Sequence, residues 1–308
     1  MHTPELTILA TGLAFPEGPV CMRDGSLLFV EIAAGRVSRL AADGTLSVFS
    51  ECGGGPNGLA VGPDGALYLC NSGGFLFQTE GGITRTRLGT PAGYTGGRIE
   101  RLDPDTGAVT LLYDSCAGRP LRGPNDIVFD ASGGFYFTDL GKQRERDRDH
   151  GGVYYARADG SLIQEIVFPI TTPNGIGLSP DGGTLYVAET ETARLWAFDL
   201  TEPGEFKRQP FPSPHGGRLI CGLGGFQRFD SLAVDSRGHI CVATLSSGCM
   251  TVVSPDDGSW HQLAMPDPLP TNICFGGPEL NTAYVTLSGT GRIASLPWPA
   301  AGLPLAFT

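Results

Sequence analysis

One phrase recurs six times along this chain: a Pro or a Phe, a polar residue, a short apolar run, then Asp-Gly or a similar turn and a second β-rich run. It reads Phe15-Pro16-Glu17-Gly18 leading to Phe29-Val30, Pro56-Asn57-Gly58 to Tyr68-Leu69, and Pro124-Asn125-Asp126 to Tyr136-Phe137. It returns as Pro173-Asn174-Gly175 to Tyr186-Val187, Phe229-Asp230-Ser231 to Cys241-Val242, and Pro270-Thr271-Asn272 to Tyr284-Val285. Repetition at this period outranks local propensity, because each unit is too small to bury its own apolar face and must stack against its copies.

The polar positions, Glu17, Asn57, Asn125, Asn174, Asp230 and Thr271, are separated by 40, 68, 49, 56 and 41 residues. A four-stranded propeller blade needs about 40–45 residues, so two intervals are bare blades and three carry insertions. In the first interval four strands are expected near residues 19–22, 26–32, 35–40 and 45–50, divided by Asp24-Gly25, Ala33-Ala34 and Asp43-Gly44. The glycine-bearing turns supply the positive φ that short hairpins require. After Thr271 only three strands follow, near residues 272–275, 282–287 and 292–297, whereas residues 5–10 form an orphan strand at the start. The expected fold is therefore all-β: a six-bladed β-propeller with four antiparallel strands per blade, one domain over residues 1–308, whose ring closes when the N-terminal strand completes the last blade. Such closure leaves only short, protected strand edges.

Composition narrows the partners. With 21 basic and 32 acidic residues the formal charge is −11, which repels phosphate backbones and anionic membrane surfaces. No nucleic-acid or membrane partner is expected, and a monomer is the default. No run approaches the roughly 18 apolar residues of a span, and residues 1–14 lack a basic segment followed by an apolar one, so the expected location is cytoplasmic. The eight cysteines include Cys70, Cys241 and Cys274 inside apolar strand patterns, and no Cys-x-x-Cys pair occurs; buried free thiols are expected.

Six innermost strands around one axis bring their first residues to one point, although these lie up to 254 positions apart. Glu17 and Asp230 would face each other there, with Asn125 and Asn174 between them. Two ionised carboxylates in a narrow channel repel unless one is protonated or a cation lies between them. The donors are all oxygen, without His or Cys, which suits a hard divalent cation and argues against a structural zinc site. Asn and Asp also begin strands simply as turn residues, but that reading gives no reason for Glu at position 17.

Phe15-Pro16-Glu17-Gly18-Pro19, Pro124-Asn125-Asp126, Pro173-Asn174-Gly175-Ile176, Asp230-Ser231-Leu232-Ala233-Val234-Asp235 and Cys274-Phe275-Gly276-Gly277 together resemble, in order, the motifs of the gluconolactonase/regucalcin (senescence marker protein) family. The run from Asn125 to Asp130, then Phe137-Thr138-Asp139 and Gly151-Gly152-Val153-Tyr154-Tyr155, is most similar to its drug-responsive lactonase subgroup. The resemblance implies a six-bladed propeller with a divalent cation on its axis, held by Glu17, Asn174 and Asp230, with Asn125 as fourth ligand or substrate contact. Calcium is the first choice, with magnesium, manganese or a catalytic zinc as alternatives.

The implied activity is hydrolysis of a small sugar-acid or other aliphatic lactone, with Asp230 as general base for water attack on a carbonyl polarised by the cation. Organophosphate hydrolysis, a lyase or isomerase reaction, and a non-catalytic calcium-binding scaffold are the alternatives on the same fold. No Gly-x-Ser-x-Gly elbow supports a serine esterase. Asn71, Asp139 and Arg122 are further candidates for substrate contact. Many sugar lactonases of the family carry Arg two residues before the Asn of the third motif; here Gly123 directly precedes Pro124-Asn125, with Arg122 one position further back. Residues 72–97, with Phe75, Phe77 and Tyr94, are a candidate lid, and the charge-rich residues 142–150 read as a solvated loop.

Overall fold

The computed structural model describes residues 5–308; residues 1–4, part of the segment read above for a leader, lie outside the described residues. Six antiparallel sheets follow one another around an axis, five of them four-stranded and that of blade four extended by the short strand Glu205–Phe206. Blade one is Pro16–Cys21, Leu27–Glu31, Arg36–Leu40 and Leu46–Glu51, within three residues of the sequence expectation. Blade two is Pro56–Val61, Leu67–Asn71, Arg98–Leu102 and Val109–Tyr113, with the hairpin Leu76–Glu80 and Ile83–Arg87 inserted between its second and third strands. Blade three is Pro124–Phe129, Gly134–Asp139, Gly151–Arg157 and Ile163–Ile170. Blade four is Pro173–Leu178, Thr184–Glu189, Arg194–Glu202 and Arg218–Gly222, blade five Arg228–Val234, Ile240–Leu245, Cys249–Val253 and Trp260–Ala264.

Blade six takes Pro270–Gly276, Thr282–Leu287 and Arg292–Pro297 from the C-terminal part of the chain and Thr7–Ala10 from its start. Thr7 pairs with Ser295 and Ile8 with Ala294, so the expected closure of the ring is what the sheet pairing gives. Innermost strands of successive blades touch all the way round, blade six meeting blade one. Among the described residues no helix is long and apolar enough to cross a membrane.

The inner strands are buried at nearly every position because each sheet is packed on both faces by its neighbours. Phe29, Phe135, Phe137, Phe198 and Phe229 are fully buried between blades, and each such side chain contributes roughly 1.5–3 kcal/mol of transfer free energy. All eight cysteines are free; burial pushes the Cys70, Cys241 and Cys274 thiols well above their ordinary range, consistent with small apolar core residues.

Every innermost strand carries a register shift at its polar residue, between Glu17 and Val20, Pro56 and Leu59, Pro124 and Ile127, Pro173 and Ile176, Phe229 and Leu232, and Pro270 and Asn272. A bulge re-aims side chains, and here it turns the polar residue toward the axis. The bulge also allows inner strands to approach closely. Gly18 has φ +50°, and a Cβ there would run into the Asn57 carbonyl oxygen of the next blade. A Cβ on Gly175 would lie 2.7 Å from the Asp230 carbonyl oxygen. Gly18→Ala is expected to destabilise by about 3 kcal/mol or more, combining positive φ with a backbone clash. Urea unfolding checks this: the midpoint should fall with an unchanged slope.

Candidate functional site

The six polar positions converge at the starts of the innermost strands. Glu17 is buried, and its Oε2 accepts the Gly18 N–H and, at 2.7 Å, the Asn272 Nδ2–H. Asp230 interacts with the Glu17 charge and is hydrogen-bonded by Asn174. Asn174 in turn donates from Nδ2 to Thr190 Oγ1 at 3.0 Å, and its Oδ1 accepts from Ser231 Oγ at 3.4 Å. Asn125 is buried, and its side-chain Oδ1 has no hydrogen-bond partner. Thus Glu17, Asn174 and Asp230 form one group. Thr271 Oγ1 bonds to Thr286 Oγ1 at 2.8 Å and Ser288 Oγ at 2.5 Å within blade six, and it reaches blade one at the Pro16 carbonyl, 3.4 Å away, beside Glu17. Asn57 is buried as channel lining.

Two residues that sequence reasoning left without a role belong to this assembly. Asp126, next to Asn125, is buried; its Oδ1 accepts the Ile127 N–H at 3.0 Å, and its Oδ2 lies 3.4 Å from the Ile176 N–H. It feels the Glu17 charge, so three carboxyls share the axis. Asn272 orients Glu17 through the bond above and fixes itself by accepting the Ile273 N–H at 2.7 Å. Both follow the polar position by one residue, Asp126 inside the bulge of its strand and Asn272 at the first paired position after it. The available signal was their polar character within an apolar strand.

Burial raises all three acids. The Glu17 carboxyl is pushed up to about 7 by desolvation against its hydrogen bonds, and Asp126 to about 8 by desolvation and the Glu17 charge. Asp230 is held well above the usual carboxylate range by the same two causes in the same order. Asp230 is half-buried as a residue, while its carboxyl is enclosed by protein.

These facts test a divalent cation. Three mutually repelling carboxyls and an unpartnered buried amide oxygen, Asn125 Oδ1, are what a hard cation would satisfy, since it takes carboxylate and amide oxygens and neutralises the charge. The residues fit the ion in chemistry, although among the described residues no cluster of three or more His, Cys, Asp or Glu stands at ligand spacing.

A pH dependence follows. A carboxyl raised in the folded state binds more protons folded than unfolded between its ordinary value and its folded one. Stability of the metal-free protein should therefore fall as pH rises from about 4 to about 8. Cation binding requires the ionised forms and should strengthen over the same window. Thermal midpoints with chelator or with calcium, measured from pH 5 to 8, should diverge as pH rises; parallel curves would contradict this account.

The other candidates lie one step outward. Asn71 Oδ1 accepts the Gly55 N–H at 2.9 Å, and its Nδ2 donates to Glu100 Oε2 at 2.9 Å. Asp139 accepts the backbone N–H groups of Arg122 and Gly123, each at 2.7 Å, and of Gly141 at 2.9 Å. Glu31 and Glu189, at equivalent strand ends, accept the Ala14 and Thr171 N–H groups. These second-strand termini thus brace the segment that leads into the neighbouring polar position. Arg122 is exposed.

The insertion of residues 72–97 lies across the same face. Phe77 packs on Phe15 at 5.1 Å between ring centroids, two residues before Glu17, and strand Ile83–Arg87 meets the Ser288–Thr290 turn of blade six. Toward blade three, Tyr94 Oη donates to the Arg122 carbonyl at 2.7 Å and the Gly89 N–H to the Gln143 carbonyl at 3.0 Å. Within the charge-rich loop, Arg144 pairs with Asp147 and Asp149 near the surface, but Lys142 departs from the solvated reading. It is buried, donates from Nζ to the Gly74 carbonyl at 2.8 Å and sits 4.2 Å from the Phe75 ring centroid. Desolvation pulls its ammonium down to about 8, against the nearby Asp139 and Asp149 charges. Lys142 ties the insertion to blade three.

Comparison with known proteins adds an independent line. The family model described as "SMP-30/Gluconolactonase/LRE-like region" matches residues 15–289. A gluconolactonase of Zymomonas mobilis is 25% identical, over 94% of this chain and 80% of that protein. Lactonase drp35 of Staphylococcus epidermidis is 30% identical, over 81% of this chain and 69% of that protein. The calcium-binding protein regucalcin of Agrobacterium tumefaciens superposes with a TM-score of 0.76 at 20% identity, covering 98% of this chain and 96% of that one, a likeness of fold.

Proposed function

The chain belongs to the SMP-30/gluconolactonase/LRE-like family, and from that premise we propose that it is a metal-dependent lactonase opening a small sugar-acid or other aliphatic lactone. The observation that carries the reading is the grouping of Glu17, Asn174 and Asp230 beside Asn125, whose buried Oδ1 lacks a partner. Glu17, Asn174 and Asp230 would hold one divalent cation, with Asn125 as a fourth oxygen donor or a contact to the lactone. Calcium is the first choice: regucalcin, a fold neighbour, is described as calcium-binding.

A divalent cation supplies polarisation of the lactone carbonyl and acidification of water. The chain supplies the rest. Asp230 accepts a proton from water as the water oxygen bonds to the carbonyl carbon. When the ring C–O bond breaks, the same carboxyl returns the proton to the leaving alkoxide, giving the hydroxy acid. Asn174 fixes Asp230 by its hydrogen bond, and Asn272 fixes Glu17. Asp139 and Asn71 act by holding the loops that carry Arg122 and Gly55, and the insertion shields the Glu17 side from bulk water.

Lactone opening releases acid, so a pH-stat assay over a panel of γ- and δ-lactones tests the proposal. Turnover should vanish with chelator and return with added calcium, magnesium or manganese. A folded protein that opens no lactone with any ion would overturn it.

A further inference from the structure

The residues two places before the six polar positions are Phe15, Gly55, Gly123, Thr172, Arg228 and Leu269, and Arg228 alone among them is charged. It opens the innermost strand of blade five, and its charge reaches Asp230, two residues further on. Its Nη2 donates to Glu191 Oε1 at 3.0 Å, across the boundary between blades four and five. Glu191 follows Thr190, which accepts from Asn174, so the ion pair stands directly outward of Asn174 and Asp230. The rest of the guanidinium is uncommitted: Nε is buried without an acceptor, and Nη1 donates to no group among the described residues. Arg36, Arg98 and Arg292, which open third strands on the same face of the ring, instead donate from Nε to Glu31, Glu100 and Thr290. The Arg228 and Glu191 side chains remain 31% and 28% exposed, enough for a ligand to reach them. Residues 72–97 reach blades six, one and three, so the open approach to Asp230 lies over blades four and five, where this pair stands.

Resting on the lactonase reading, we propose that Arg228 is a specificity-determining contact that donates to a ring hydroxyl of the substrate, and that the substrate class is accordingly a hydroxylated sugar-acid lactone rather than an unsubstituted aliphatic one. A guanidinium with donors left over binds an incoming oxygen without breaking a bond it already makes. The Glu191 carboxylate beside it keeps acceptor capacity, so one hydroxyl can accept from Arg228 and donate to Glu191. A carboxylate substituent is served less well, because Glu191 already offsets the Arg228 charge and the whole chain carries −11. A bare methylene ring desolvates the same donors and leaves them unpaired, the circumstance in which a polar site discriminates most strongly.

Steady-state kinetics of the full-length, calcium-loaded protein on D-glucono-1,5-lactone and on δ-valerolactone, the same ring without hydroxyls, test this. After division by the uncatalysed rates, the wild type should favour the hydroxylated ring in kcat/KM by about 100-fold or more. Arg228→Met keeps the apolar stem and removes the donors: KM for the sugar lactone should rise about tenfold or more with kcat within about threefold, and δ-valerolactone opening should stay within about threefold. Arg228→Lys, which keeps the charge without the planar fork, should fall between. Calcium affinity by titration calorimetry should stay within about threefold in both variants. Equal losses on the two lactones, or a loss matched by a fall in calcium affinity, would assign Arg228 to holding Asp230 and overturn the contact, as would an unchanged KM for the sugar lactone. A wild type without preference overturns the substrate class. A wild type that opens neither lactone overturns the lactonase reading and this inference with it, an outcome set apart because it precedes any substitution.

Discussion

Glu17→Gln and Asp230→Asn should each lower kcat/KM for lactone opening by about 10²–10⁴-fold while leaving the propeller folded. The two substitutions remove charge and retain shape, so the loss must be read as chemistry. Glu17 is enclosed, carries the Asn272 hydrogen bond and lies within electrostatic reach of both Asp126 and Asp230. Without its charge the cation loses an anionic ligand, and calcium affinity by titration calorimetry should fall together with turnover. Asp230→Asn should do the same and also remove the proton acceptor, so excess metal should restore part of the Glu17→Gln activity and little of the Asp230→Asn activity. In the metal-free state the order reverses. Each variant relieves a buried repulsion, and thermal midpoints with chelator should rise above that of the wild type at pH 8. Wild-type turnover in both variants would remove the mechanism.

Deleting residues 1–10 should cost the molecule its closure. Thr7–Ala10 is the outer strand of blade six, paired along Arg292–Pro297, and without it the backbone groups of that strand stand open to another chain. Leu6 also packs against the core beneath blade six. Oligomers or precipitate on gel filtration and a sharply lowered, less cooperative melting transition are expected. A monomeric truncation with the wild-type midpoint would mean that the ring is held by its inner strands alone. The consequence would extend to the site, because blades six and one meet where Asn272 holds Glu17.

Much of the fold was legible because the signal repeats. Strands bounded by glycine turns, spaced at blade length and indexed by a polar residue, leave little freedom, and the orphan strand before Phe15 could complete only the three-stranded blade after Thr271. The charged residues of the loops were harder to read. Lys142 belongs to a run dense in Arg and Asp, yet its neighbours in space are Phe75, Tyr94 and the Gly74 carbonyl, contributed by a different blade. Asp139 and Asn71 stand at strand ends as a substrate contact would, but their bonds to backbone N–H groups depend on loops folding back from other parts of the blade.

The repeat and its polar position determined the ring, the closing strand and the convergence of Glu17, Asn174 and Asp230, because a closed array of like units has one place where equivalent residues meet. What only the tertiary structure decided was the neighbourhood of each group. The bulge of blade three left Asp126 unpaired beside Asn125, a hydrogen bond from Asn272 oriented Glu17, and residues 72–97 spanned from blade six to blade three. The physical reason is that desolvation and hydrogen-bond satisfaction are properties of everything within a few ångströms of an atom, and in this ring those neighbours come from distant parts of the sequence.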